Sequence, residues 1–336
     1  MTLIARIAAS AALIAGLAVP AAADERTNPD TLFFGILATE NSSAQREKWG
    51  PMLEDLEKSI GIPVEPFFAS DYAGVIEAMR FDKVDVVWYG NKSAMVAVDR
   101  AGAEIFAQTT ESNGDQGYWS VMVTHKDNDL TYEDVIGCDK TLNFGIGDPN
   151  STSGFLVPST FVFAKNGITP QNCFKTVRNA NHETNLISVA TKRVDAAVAS
   201  SGGLYHRLKK AKPELFAEIK EIWRSPLIAS DPMAWRPELD DALKSKIMYF
   251  FMTYGRHGTD EEVKSAREKL ALIAMGPFVP SSNAQLWPFY EMDQIRQRMA
   301  IEGDKTYSLE EKAEKINAID ARIEEIRAAA AARPRK

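Results

Sequence analysis

The 336-residue chain lacks the features that mark several large functional classes. Past its first two dozen residues it has no apolar run long enough to cross a bilayer. It has 39 basic residues against 46 acidic ones and no Lys/Arg cluster, a poor match for nucleic acid or an anionic membrane. Its four histidines, His125, His182, His206 and His257, form no i, i+4 pair. No Cys-x-x-Cys or Asp/Glu-His cluster accompanies them, so no metal site and no cofactor are expected. The G-x-S-x-G elbow and the Walker and Rossmann fingerprints are also missing.

What is present begins at the N-terminus. Arg6, the apolar run Ile7 to Val19 and Ala21-Ala22-Ala23 read as a secretory signal peptide, residues 1–23, cleaved after Ala23. No Cys follows, which argues against a lipid anchor. The expectation is a soluble protein exported to a bacterial periplasm. Removing Arg6 moves the net charge from −7 to −8 and leaves 313 residues, a length that suggests two globular domains. In that compartment Cys138 and Cys173, the only cysteines, are expected to form a disulfide, with two buried free thiols as the alternative.

The stretch Asp148-Pro149-Asn150-Ser151-Thr152-Ser153-Gly154 places three hydroxyl residues between a Gly-Ile-Gly-Asp-Pro turn and an apolar run at helical intervals. It reads as a helix N-terminus. The first N–H groups of a helix lack partners and sit at the positive end of its dipole, so with adjacent hydroxyls they make a site for a tetrahedral oxyanion. An ordinary N-cap needs only one Ser or Thr, and remains the plainer alternative.

From Thr31 apolar strands alternate with amphipathic helices, which implies an α/β architecture with mostly parallel sheets and ligands beyond the carboxyl ends of strands. Tyr72, Trp88 and Tyr89 fall where strand passes into helix. Tyr118 opens a long strand, after which a second β/α series runs to Ser225. The extended segment around Asp231-Pro232 then reads as the chain returning to its first domain. Two crossings, near 120 and near 229, give a two-strand hinge between two lobes. The expected division is lobe 1 from 24–120 and 230–302, lobe 2 from 121–229, and a C-terminal helix over 303–336. In that helix Leu309, Ile316 and Ile323 repeat every seven, with Ile319 and Ile326 between them. A homodimer contact and docking on the protein's own surface both fit, and the expectation leans to the dimer.

A polar turn, Asn179 to Asn185, places His182 directly before a helix, although a surface histidine would look the same. Tyr72, Tyr89, Tyr118 and Trp88 each have a plainer reading as core aromatics, and Asp231 as a turn residue. Their joint position at strand ends and crossings favours a shared cleft, without naming its ligand.

The motifs SDYAGVIEAMRFDKVDVVWYGN, QGYWSV, FGIGDPNSTSGFLVP, NHETN, IWRSPLIASDP and PFVPSSNAQL resemble those of the periplasmic phosphonate-binding proteins of phosphonate ABC importers, two-lobed type II (Venus-flytrap) binding proteins. The resemblance covers nearly the whole mature chain. It implies phosphonate oxygens held by Ser151, Thr152 and Ser153, with Tyr72 and His182 completing the shell, and an inner-membrane ABC permease as partner. For 2-aminoethylphosphonate it places the amino end near Tyr118 and Asp231, with a further carboxylate after the strand VDAAVAS. Here that segment reads Ser200-Ser201-Gly202-Gly203, so one counter-charge is missing. Alkylphosphonates, phosphite or a larger organophosphonate stay open as ligands. An enzyme reading would make a Ser from 151–153 the nucleophile and His182 the base of a hydrolase, which needs a third group to hold the base.

Overall fold

The computed structural model describes residues 27–332, so the expected signal peptide lies outside the described residues. The chain opens with β1 (Leu32–Ile36), β2 (Val64–Phe68), β3 (Val86–Trp88) and β4 (Glu104–Glu111), separated by helices Ser42–Ile60, Tyr72–Arg80 and Asn91–Ala101. Local chemistry sets their ends. Asn41 caps the first helix by accepting from the Ala44 N–H at 2.9 Å, and Gly61 ends it with φ 81°. Asp71 caps the second through the Gly74 N–H at 2.8 Å.

A short strand, β5 (Gly117–Tyr118), leaves this first unit. The second contains β6 (Ser120–His125), β7 (Asn143–Ile146), β8 (Thr176–Asn179), β9 (Ala196–Ser200) and β10 (Ile219–Arg224). The chain returns through β11 (Ile228–Ala229) and completes the first sheet with β12 (Pro232–Trp235) and β13 (Met275–Pro280). β5 and β11 pair antiparallel, Tyr118 opposite Ile228, and form the two-stranded ribbon between the lobes.

The first sheet has the order β13-β4-β12-β3-β1-β2 and the second β10-β6-β9-β7-β8. Both are mixed, which corrects the expectation of mostly parallel sheets. β1 is parallel to β2 and β3, but β12 is antiparallel to both β3 and β4, and β6 is antiparallel to β9 and β10. The cause is the double crossing: β12, arriving from the ribbon, enters the first sheet from the end opposite to β1, β3 and β4.

Each lobe has its own core. Phe34, Trp49 and Trp88 pack in series in the first, with Phe106 stacked on Trp235 at 4.2 Å. In the second, Phe144 stacks on Phe174 at 4.2 Å and Phe163 meets both edge-on. Beside that cluster Cys138 and Cys173 form the expected disulfide.

The C-terminal stripe docks within the chain. Helix Leu309–Ala331 folds back on helix Trp287–Gly303, burying Ile319, Ile323 and Ile326, while Arg298–Asp320 at 2.9 Å and Arg327–Glu291 at 2.7 Å join the two. Leu309 is left exposed. A seven-residue repeat shows that a helix has an apolar face but not what covers it. Here the covering surface is the preceding helix, where the sequence reading leaned to a second copy.

Candidate ligand-binding cleft

The carboxyl ends of β1, β3, β4, β7 and β9 converge beside the ribbon, and a cavity lies between the lobes there. It leaves about 40 Å³ open to water-sized molecules, where a single water needs roughly 10–15 Å³, so the space suits a small ligand. Tyr72, Tyr118, Ser151, Thr152, Ser153, His182 and Asp231 all line it. The lobes are drawn together around it: across the cleft, the Tyr72 N–H donates to Asp148 at 3.3 Å and the Lys92 N–H to the Thr152 hydroxyl at 2.9 Å. Farther out, the Asn41 N–H donates to Glu183 at 3.2 Å.

One end of the cavity is built for an anion. Ser151 caps the helical segment that follows, its hydroxyl accepting from the Gly154 N–H at 3.0 Å. The first turn is wide, with the Leu156 N–H reaching back to the Ser151 carbonyl at 3.0 Å. The Thr152 and Ser153 N–H groups have no acceptor among the described residues, so two donors at the positive end of the helix face the cavity unpaired. The Thr152 hydroxyl has accepted from Lys92 and keeps its own proton to donate. The turn requires two glycines: a Cβ on Gly147 would stand 2.5 Å from the Gly154 Cα, and one on Gly154 only 2.8 Å from the Ser151 Oγ.

His182 and Tyr72 close this end as neutral donors. The Ser200 N–H donates to His182 Nδ1 at 3.2 Å, which places the ring proton on Nε2. Burial, with the Arg207 charge nearby, lowers the His182 pKa to about 3, so the ring is neutral at physiological pH. Nδ1 faces a backbone amide and not a carboxylate, so no catalytic triad is assembled. Burial, then the Asp231 charge, pushes the Tyr72 phenol well above its ordinary value and keeps it protonated.

The other end is anionic. Tyr118 donates to Asp231 Oδ1 at 2.8 Å. Burial raises the Asp231 carboxyl to about 7, against the lowering influence of Tyr118 and Arg207. Glu111, at the end of β4, lines the same cavity and is likewise raised by burial to about 7. The two ends are close: a Cβ on Gly90 would lie 3.3 Å from the Thr152 hydroxyl and 3.8 Å from Asp231 Oδ1.

Tyr89 is not in the cavity, contrary to the sequence expectation. Its ring is fully buried in the core of the first lobe and its hydroxyl donates to the Val75 carbonyl at 3.4 Å. Side chains alternate at the end of a strand, and it is the neighbouring Trp88 that lines the cavity. Sequence reasoning missed Thr39, Thr109, Glu111 and Arg207. Glu111 had a usable signal, since Thr-Thr-Glu ends a strand on the ligand side of the sheet; Arg207, well inside a helical segment, had none. Among the described residues one group, His125, Asp127 and Glu218, has ligand atoms close enough to share a metal ion. It sits at the end of β6 away from the cleft, and Lys126 and Lys192 already pair with its carboxylates at 2.9 and 3.1 Å.

Comparison with known proteins points the same way. A family model described as the periplasmic substrate-binding protein of a phosphonate ABC transporter matches residues 34–286. The chain is 44% identical over 310 residues to the phosphonates-binding periplasmic protein of Escherichia coli (strain K12), covering 91% of this chain and 88% of that one. It matches the crystal structure of a binding-protein component of a phosphonate ABC transporter from Pseudomonas aeruginosa with a TM-score of 0.86 at 42% identity, over 90% of this chain and 98% of that one. A Prochlorococcus marinus protein solved with methylphosphonate shares the fold, with a TM-score of 0.68 at 19% identity over 79% of this chain and 97% of its own.

Proposed function

This chain belongs to the family of periplasmic substrate-binding proteins of phosphonate ABC transporters, and from that membership we propose that it captures an aminophosphonate, with 2-aminoethylphosphonate as the leading candidate. It is a transport component and not an enzyme. Phosphonate oxygens take the Thr152 and Ser153 N–H groups and the Ser151, Thr152 and Ser153 hydroxyls, with Tyr72 and His182 Nε2–H completing the shell. The ammonium group lies against Asp231, which Tyr118 orients.

The observation that carries this reading is the polarity of one small cavity, with unpaired amide donors at one end and the Tyr118–Asp231 pair at the other. A bare alkylphosphonate would leave the carboxylate end unmatched, and a buried charge without a partner is costly. Export proceeds through residues 1–23, and in the periplasm lobe 1 (24–120 and 230–302) and lobe 2 (121–229) close about the β5–β11 ribbon. The closed form is what the membrane permease receives.

Isothermal titration calorimetry on ligand-stripped protein tests the reading against 2-aminoethylphosphonate, methylphosphonate, phosphite and phosphate. Tightest binding of 2-aminoethylphosphonate is expected. Tighter binding of methylphosphonate or phosphite would overturn the amine assignment, and binding of none of them would overturn the phosphonate reading.

A further inference from the structure

Two charges in the cleft have no role in the account above. Glu111 projects from the end of β4 in the first lobe, and Arg207 from the wide helical segment Gly202–Leu208 in the second. Both line the cavity, and each lies within electrostatic reach of the other and of Asp231. Among the described residues, neither side chain makes a hydrogen bond or an ion pair within 4.0 Å.

Two further observations bear on what lies between them. Arg207 is held over the Trp88 ring, its guanidinium carbon 5.6 Å from the ring centre. Gly202 leaves the space beside Glu111 open: a Cβ there would meet only Glu111 Oε2, at 3.8 Å. The cavity wall therefore offers two carboxylates and, next to them, the cationic N–H donors of Arg207.

We propose that the ligand is a phosphonate with an α-amino acid head, its ammonium group shared by Asp231 and Glu111 and its carboxylate received by Arg207. The molecule of this class that adds only a carboxylate to 2-aminoethylphosphonate is 2-amino-3-phosphonopropionate. This rests on the phosphonate reading above and narrows it. Guanidinium and carboxylate pair with matched planar geometry, which makes Arg207 the discriminating group, while Glu111 supplies the second counter-charge for the amine. Both act on the ligand's far end, away from the helix N-terminus that holds the phosphonate.

The test uses the mature chain, stripped of ligand, and a matched series by titration calorimetry: 2-amino-3-phosphonopropionate, 2-aminoethylphosphonate, which lacks only the carboxylate, and ethylphosphonate, which lacks both groups. The wild type is expected to bind the amino acid at least about tenfold more tightly than 2-aminoethylphosphonate. Arg207→Gln should collapse that ratio, and Glu111→Gln should lower the affinity of both amines relative to ethylphosphonate. Ethylphosphonate binding doubles as the control that each variant is folded. The proposal is overturned if 2-aminoethylphosphonate binds as tightly as the amino acid, or if the preference survives Arg207→Gln. Failure of all three phosphonates to bind overturns the phosphonate reading and this inference with it, whereas tight binding of 2-aminoethylphosphonate without the preference overturns this inference alone.

Discussion

Asp231→Asn isolates charge from shape. Asparagine keeps the volume and an oxygen that can still accept from Tyr118, now 2.8 Å from Asp231 Oδ1, so the wall of the cleft stays in place while one negative charge goes. Removing one partner of a buried, hydrogen-bonded charge pair costs about 2–5 kcal/mol. With Glu111 remaining as a second carboxylate, the lower end applies, and about 2 kcal/mol is roughly a 30-fold weaker Kd for an ammonium-bearing phosphonate. The measurement belongs at pH 8. Burial holds Asp231 near 7 in the empty cleft, so nearer neutrality much of the wild type is protonated before ligand arrives and the contrast shrinks. Titration calorimetry with 2-aminoethylphosphonate and ethylphosphonate reads the effect as a ratio, and ethylphosphonate should be unaffected. The same substitution has a second, opposite readout. A carboxyl whose folded pKa lies above its ordinary value opposes folding as pH rises through the folded value, so the empty Asn variant should melt higher than wild type at pH 8. Equal weakening of both ligands, or retention of 2-aminoethylphosphonate affinity within about threefold, would refute the reasoning.

Three further outcomes are expected. Affinity for 2-aminoethylphosphonate should fall relative to ethylphosphonate between pH 8 and 6, because Asp231 and Glu111, both near 7, take up protons that binding must displace; a flat ratio would contradict this. His182, lowered to about 3, contributes nothing over that range. Gly154→Ala should weaken every phosphonate alike, since its Cβ would press on the Ser151 Oγ at 2.8 Å and the His182 Cε1 at 3.2 Å, an overpacking cost of about 1–3 kcal/mol; normal binding by a folded variant would show that the turn tolerates it. Replacing Cys138 and Cys173 by serine opens a link between residues 35 apart and should cost about 3–4 kcal/mol in urea unfolding, while a loss under about 1 kcal/mol would mean that the bond contributes little beyond local packing.

The parts legible in the chain were those whose physics is local. Ser151 to Ser153 could be read as a helix start because capping depends on a few adjacent residues, and the crossings near 120 and 229 because extended segments interrupt a helix–strand rhythm. Glu111 and Arg207 were not legible. They come from different lobes, 96 positions apart in the chain, and nothing in their own neighbours distinguishes them from solvated surface charges. Tyr89 shows a finer limit: pattern locates the end of a strand but not which of two adjacent aromatics faces the cleft.

The chain by itself determined the α/β alternation, the hydroxyl-rich helix N-terminus, the cysteine pair and the family resemblance, since each depends on neighbouring residues or on a motif. Tertiary structure decided what those parts meet. It set β12 antiparallel in the first sheet, spent the C-terminal apolar stripe on the preceding helix, buried Tyr89 and brought Glu111 and Arg207 into the same cavity as Asp231. The physical reason is common to all four: a periodic pattern specifies a face, whereas the partner of that face is chosen by how two lobes and a ribbon pack in space.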